Sequence, residues 1–145
     1  MLLDNVILRK EKCISTPKGD VKHVLKDCSE GFSGFGEAYL TTIGKGMTKG
    51  WKKHLKMTSN LYVVTGSILI RLVEEQEGNF FSSKDFLLSE SKKERLVVPP
   101  GLWMAFGGKE KKNIMLNIAN QKHDKEEALN IRLEDFKLNK FPEDF

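Results

Sequence analysis

Along the middle of the chain, apolar and polar positions alternate in short runs that end at glycine or proline rather than continuing at helical spacing. Glu37 to Ile43 reads as a strand, and Gly44 and Gly46 mark a turn after it. Leu61 to Val64 and Ile68 to Val73 are β-rich runs separated by Thr65-Gly66-Ser67, a spacing that predicts a hairpin. Leu96 to Val98 forms a further run, which Pro99 and Pro100 must end because proline cannot donate to a sheet ladder. Ile114, Leu116 and Ile118 alternate with Met115, Asn117 and Ala119, the period of a strand with two unlike faces. Asp124 followed by Glu127 has capping-box spacing and predicts a short helix from Lys125 to Asn130. The glycines between Gly31 and Gly36 match no phosphate-binding pattern and read as a loop. Many short strands with Gly/Pro turns and one late helix predict an all-β jelly roll or barrel with a short C-terminal helix. Leu133, Phe136 and Phe141 of the tail are expected to lie over the barrel.

Composition narrows the function classes. The 145 residues suit one domain, 39% are hydrophobic, and 24 basic residues nearly balance 20 acidic ones. A net charge of +4 gives no reason to expect a nucleic-acid partner. No stretch approaches the roughly 20 apolar residues that cross a bilayer. Met1-Leu2-Leu3 is cut short by Asp4, so neither a membrane span nor a signal peptide is expected. Cys13 and Cys28 share no CxxC or Cys/His spacing, which suits reduced thiols in the cytoplasm.

The chemistry lies between Gly46 and Gly66. Gly46, Lys52, His54, Ser59 and Gly66 meet the spacing of the first cupin signature, and Pro99, Gly101 and Met104 meet that of the second. The chain therefore resembles a cupin, with a single β-barrel domain spanning 1–145 and a frame of two glycine-bounded hairpins. A cupin metal needs three or four N/O ligands converging on one point. The positions that would supply them hold Lys52, His54, Ser59 and Met104, of which His54 alone is a competent ligand, so no metal or other cofactor is expected.

Within cupins, Lys49-Gly50-Trp51-Lys52-Lys53-His54 resembles the R-G-[LF]-H-x-[QH] motif of dTDP-4-dehydrorhamnose 3,5-epimerases and dTDP-sugar 3,4-ketoisomerases. Trp51 to Leu61, Pro99 to Trp103, Asn117 to Asn120 and Asp20 extend the likeness over most of the chain, in an epimerase-like subgroup. The resemblance implies a sugar-nucleotide ligand, proton transfer alpha to a ketone, and a homodimer joined through edge strands. It also exposes departures. Lys52 stands where the epimerases place a base histidine, the stretch from Asn113 to Leu116 lacks their tyrosine acid, and the tail shows no clear carboxylate partner for the base.

In a strand, residues 52 and 54 enter the same space, so His54 and Lys52 are the catalytic candidates. His54 has the ordinary basicity of a general base, and Lys52 could stabilise an enolate or act as base itself. Lys49 takes the place of the family's arginine and is the candidate diphosphate contact. Lys45, Lys53 and Lys56 read as a solvated basic edge. Trp51 and Trp103 could stack on a nucleotide base or pack in a core. With Ser59, Asn60, Tyr62 and Met104 they complete the candidate substrate-binding set. Tyr39 and Tyr62, the two tyrosines, are the only candidate phenolic acids and read first as packed strand residues, and His23 and His123 read as surface or capping residues. The alternative open at this stage is a non-catalytic cupin that binds a sugar nucleotide or glycan.

Overall fold

A computed structural model describes residues 1–76 and 80–135, the side chains of Phe80 and Phe81 excepted. A 3₁₀ turn, Leu2–Asn5, leads into β1 (Ile7–Lys10), β2 (Cys13–Thr16) and β3 (Gly19–Lys22). A loop that includes Gly31 to Gly36 connects these to β4 (Glu37–Gly44) and β5 (Thr48–His54). There follow β6 (Ser59–Thr65), β7 (Ser67–Gln76), β8 (Phe80–Ser89), β9 (Glu94–Val98), β10 (Trp103–Gly108), β11 (Lys112–Ala119) and β12 (Ala128–Asn130). One five-stranded sheet has the order β1-β9-β6-β11-β4, the other β12-β5-β10-β7-β8, and β2 pairs with β3 as a separate hairpin. Among the described residues, every strand pair of the two sheets is antiparallel.

The space between the sheets is filled by alternate residues of each strand. Leu61 and Val63 of β6 meet Ile68, Ile70 and Leu72 of β7, Leu96 and Val98 of β9 and Met115 of β11. Burying each such side chain contributes roughly 1.5–3 kcal/mol. In β11 it is Asn113, Met115, Asn117 and Ala119 that are buried, while Ile114, Leu116 and Ile118 look outward and are half-buried. The outer face of the first sheet is partly covered. There Arg95, 1% exposed, donates from Nε to Glu11 Oε1 at 2.8 Å and from its guanidinium to Asn60 Oδ1 at 2.5 Å.

The fold departs from the sequence expectation in two places. β6 and β7 do not form a hairpin: β6 pairs with β9 and β11, and β7 with β8 and β10. A single residue, Gly66, joins them, and a hairpin needs a loop of at least two. The chain therefore crosses from one sheet to the other at Gly66, whose φ is +79°. A Cβ there would overlap the Lys112 carbonyl oxygen and lie 2.5 Å from Asn113 Oδ1. Asn113 fixes the crossing by accepting from the Ser67 and Glu110 N–H groups and donating to the Ile43 and Glu110 carbonyls.

The second departure is the late helix. Residues 125–127 form a turn and 128–130 form β12, paired with Lys52, Lys53 and His54. Asp124 does cap, accepting from the Glu126 N–H at 3.0 Å, but the chain is then drawn out straight. Glu127 is pulled into the barrel by His54 and two backbone N–H groups, so tertiary bonding overrides the capping signal. A 3₁₀ turn, Leu133–Asp135, follows, with Leu133 39% exposed rather than packed down. Phe136 and Phe141 lie outside the described residues.

Candidate active site

The first sheet ends at β4 and the second at β12 and β5, and a cavity of about 290 Å³ lies where these edges meet. Tyr39 and Thr41 of β4 form one wall, Lys49, Lys52 and His54 of β5 the other, with Asn117 of β11 and Asn130 of β12 beside them. Leu61, Met104, Phe106 and Met115 line its apolar part. A second hollow of about 190 Å³ adjoins it, sharing Tyr39, Lys52 and His54 and adding Glu37, Met57 and His123. Gly50 lets β5 run close to β10, because a Cβ at that position would lie 2.7 Å from Ala105 Cβ. The Gly50–Trp51 peptide is cis.

His54 Nδ1 lies 2.6 Å from Glu127 Oε1, and Glu127 Oε2 accepts from the Lys56 and Met57 N–H groups at 3.0 and 2.9 Å. Burial alone would push the Glu127 carboxyl up. The hydrogen bonds from Lys56, His54 and Met57 outweigh it and hold the carboxyl below its ordinary value. An ionised carboxylate only accepts, so Nδ1 carries a hydrogen, and in the neutral ring the lone pair is on Nε2. Among the described residues no partner is recorded for Nε2.

Tyr39 and Asn117 form the facing polar pair. Asn117 Nδ2 donates to the Tyr39 hydroxyl at 2.7 Å and approaches Ser59 Oγ at 3.4 Å. Burial, opposed by the Asn117 bond and reinforced by Glu37 and Glu127, pushes the Tyr39 phenol above its ordinary value and keeps it protonated. Lys52 has no carboxylate within ion-pair distance among the described residues. The same residues contain no group of three or more His, Cys, Asp or Glu able to hold a metal ion.

No family model matches the sequence, and no curated protein matches it. Solved structures do. A dTDP-sugar isomerase from Desulfovibrio desulfuricans G20 superposes with a TM-score of 0.87 at 24% identity, over 97% of this chain and 91% of that one. The chain has the fold of a dTDP-sugar isomerase. A mutant of the 3,4-ketoisomerase QdtA from Thermoanaerobacterium thermosaccharolyticum, in complex with TDP-4-keto-6-deoxyglucose, matches at TM-score 0.73 and 25% identity over 91% and 90% of the two chains. A dTDP-4-dehydrorhamnose 3,5-epimerase from Bacillus anthracis, with TDP and PPi bound, matches at 0.79 and 15% over 93% and 83%. These neighbours are isomerases with an RmlC-like cupin barrel, similar to this chain at low identity.

Set on that cupin frame, the candidate residues divide. Lys49, Trp51, Lys52, His54 and Met104 line the cavity. Ser59 is 1% exposed behind Asn117. Asn60 and Tyr62 do not line it. Leu61 faces inward between them, so strand alternation turns both to the outer side, where Asn60 binds Arg95. Trp103 does not line it either. It packs with Trp51, Val73 and Ala105 on the other side of the second sheet, with the Lys53 ammonium 4.9 Å from its ring. Both tryptophans are 3% exposed, which leaves no free face for a base to stack on. Lys53 is no bare solvated charge, since it pairs with Glu75 at 2.7 Å.

The cavity also contains a residue that the sequence did not reveal: Glu127 supplies the carboxylate partner that the tail was expected to lack. Of the two candidate phenols, Tyr39 lines the cavity and Tyr62 does not. His123 borders the second hollow. The one sequence signal for Glu127 was its capping-box position, which pointed to a helix instead. Asn117, 78 residues away, is the partner that holds the Tyr39 hydroxyl.

Proposed function

We propose that the chain is a sugar-nucleotide isomerase that moves a proton alpha to the ketone of a nucleotide-linked 4-keto-6-deoxyhexose. The observation that carries this reading is the His54–Glu127 pair at 2.6 Å beside a cavity of sugar size. Glu127 orients His54 and stabilises its protonated form, so that Nε2 can take a carbon-bound proton and return it. The Lys52 ammonium and the Tyr39 hydroxyl are the groups on the cavity wall able to stabilise the enolate oxygen that forms. Lys49, exposed at the start of the lining, is the contact for the sugar nucleotide's diphosphate. Leu61, Met104, Phe106 and Met115 offer an apolar surface suited to the C6 methyl of a 6-deoxy sugar.

The same reading makes the protein a homodimer working in the cytoplasm. The outer face of the first sheet supports a second copy, with Leu40 64% exposed and Val64 38% exposed beside half-buried Ile114, Leu116 and Ile118. Two free thiols, Cys13 and Cys28, suit a reducing compartment. Replacing His54 with Asn tests the catalytic claim. Turnover of dTDP-4-keto-6-deoxyglucose should fall to background while the melting curve stays cooperative. Full activity in His54→Asn would remove His54 from the mechanism and with it this reading.

A further inference from the structure

Three lysines lie in β5, at positions 49, 52 and 53, and the fold gives each a different setting. A regular strand would send Lys49 and Lys52, three residues apart, to opposite faces. In the pairing with β10, Phe106 stands opposite Lys49 and Met104 opposite Lys52, so Gly50 and Trp51 together face Ala105 alone. That extra residue is a β-bulge, and it turns Lys49 back to the cavity side with Lys52 and His54. Lys49 is exposed at the rim, where a diphosphate can reach it. Lys53 points the other way, held by Glu75 at 2.7 Å and lying over the Trp103 ring.

Lys52 has neither kind of partner. It is half-buried, lines both hollows, and its side chain forms no ion pair or hydrogen bond with the described residues. The two carboxylates of this region are engaged elsewhere, Glu127 with His54 and Glu37 with the His123 N–H at 2.9 Å. The Lys52 main chain is fixed on both sides, opposite Met104 of β10 and Asn130 of β12. Two residues along a strand span roughly 6–7 Å. A sugar carbon bonded to Nζ would therefore leave its neighbouring carbon within reach of His54 Nε2. Tyr39 stands on the opposite wall, its oxygen accepting from Asn117 Nδ2 and its hydrogen without an acceptor among the described residues. An amine without a counter-ion, a base beside it and a phenol across from it are the groups that condensation of an amine with a ketone requires.

We propose that Lys52 is a covalent catalyst that forms a Schiff base with the ketone of the sugar. The proposal rests on the proposed function and deepens it, because the carbon acid becomes an iminium ion in place of a neutral ketone. Lys52 gives one ammonium proton to His54 Nε2, and the Nζ lone pair bonds to the carbonyl carbon as the carbonyl π pair moves to oxygen. That oxygen takes the proton from His54. A second proton passes from Nζ to the same oxygen by way of the Tyr39 hydroxyl. The C–O bond then breaks, water leaves, and the nitrogen lone pair closes the C=N bond. The positive charge now rests on the iminium, and His54 and Tyr39 are as they began. His54 Nε2 next takes a proton from a neighbouring carbon, the C–H pair forms a C=C bond, and the C=N pair returns to nitrogen. Reprotonation of carbon and addition of water release the sugar and restore the lysine. No oxidant or other reactant is consumed.

The test adds sodium cyanoborohydride, which reduces iminium ions in preference to ketones, to wild-type protein turning over dTDP-4-keto-6-deoxyglucose. The protein mass should rise by that of the nucleotide sugar less one oxygen atom, peptide mapping should place the adduct on Lys52, and activity should fall in step with it. dTDP-glucose, which has no ketone, should leave no adduct. Lys52→Arg keeps the positive charge but cannot form the imine, so proton exchange into D₂O should drop to the buffer rate while the melting curve stays cooperative. Should that variant fail to fold, the wild-type adduct decides. Proton exchange without an adduct on Lys52, an adduct spread over the surface lysines, or full exchange in folded Lys52→Arg overturns the inference and leaves the proposed function standing. An adduct on Lys52 without proton exchange upholds the inference and removes the proposed function. Neither adduct nor exchange overturns both.

Discussion

Replacing Glu127 with Gln separates the carboxylate's charge from its shape. The side chain is 6% exposed, and each of its oxygens has a defined task. Oε2 accepts from the Lys56 and Met57 N–H groups, and Oε1 accepts from His54 Nδ1. A glutamine fills the same space, but one oxygen becomes an NH₂ donor. Two backbone donors require the oxygen to stay where Oε2 is, because an NH₂ there would leave the buried Met57 N–H opposed by another donor. The NH₂ must then face His54 Nδ1, which becomes an acceptor, and the imidazole hydrogen moves to Nε2. The base loses its lone pair on the cavity side.

The stability loss should be modest, because two of the three hydrogen bonds persist and one charge-assisted bond becomes neutral. About 1–2 kcal/mol is expected, or roughly 3–6 °C in Tm for a chain of this length. The activity loss should be far larger, on the order of 10²-fold or more in kcat, as a general base in the wrong tautomer contributes nothing. Differential scanning calorimetry gives the first quantity and proton exchange into D₂O the second. Nitrogen-15 NMR of the imidazole should show the hydrogen moving from Nδ1 to Nε2. A Glu127→Gln protein retaining activity within a few-fold, with the wild-type tautomer, would refute the reasoning.

Three further outcomes follow from the same geometry. Lys49→Ala should raise KM for the nucleotide sugar about tenfold with kcat little changed, since a diphosphate contact remote from the ring binds ground state and transition state alike; steady-state kinetics checks this. Asn113→Ala should lower unfolding stability by about 3–4 kcal/mol in urea titration, because it removes four hydrogen bonds and leaves buried backbone groups at the Gly66 crossing unpaired. Acid should destabilise the protein through Glu127. Its carboxyl titrates below its ordinary 4.5 in the fold, so this stabilisation is complete above the ordinary value and lost as pH falls through the lower folded one. Melting curves of wild type and Glu127→Gln should therefore converge in that acid window.

The strands and the heart of the cavity were legible because they depend on local spacing. Glu37 to Ile43 and Ile114 to Ala119 sit in β4 and β11, and the residue 52/54 alternation does bring Lys52 and His54 into one space. What failed depended on partners far along the chain. Thr65-Gly66-Ser67 has the composition of a hairpin turn, but β6 and β7 find their partners in β9, β11, β8 and β10. Glu127 follows Asp124 at capping-box distance, yet it is held by residues 70–73 positions away. Tyr62 and Tyr39 could not be told apart by sequence. In the fold one turns outward from β6 and the other lines the cavity from the sheet edge. The β1 to β3 strands went unread because their residues are mostly exposed and show little apolar alternation.

The claim on which everything else depends is that the cavity between β4 and β5 abstracts a proton next to a sugar ketone. Incubating the wild-type protein with dTDP-4-keto-6-deoxyglucose in D₂O and integrating the ring-proton signals tests it in one tube. Loss of a proton adjacent to the ketone, above the rate in buffer and absent with His54→Asn, is the predicted result. Demonstrated binding of the nucleotide sugar with no exchange at either adjacent carbon would contradict the account and leave a cupin that binds without catalysis.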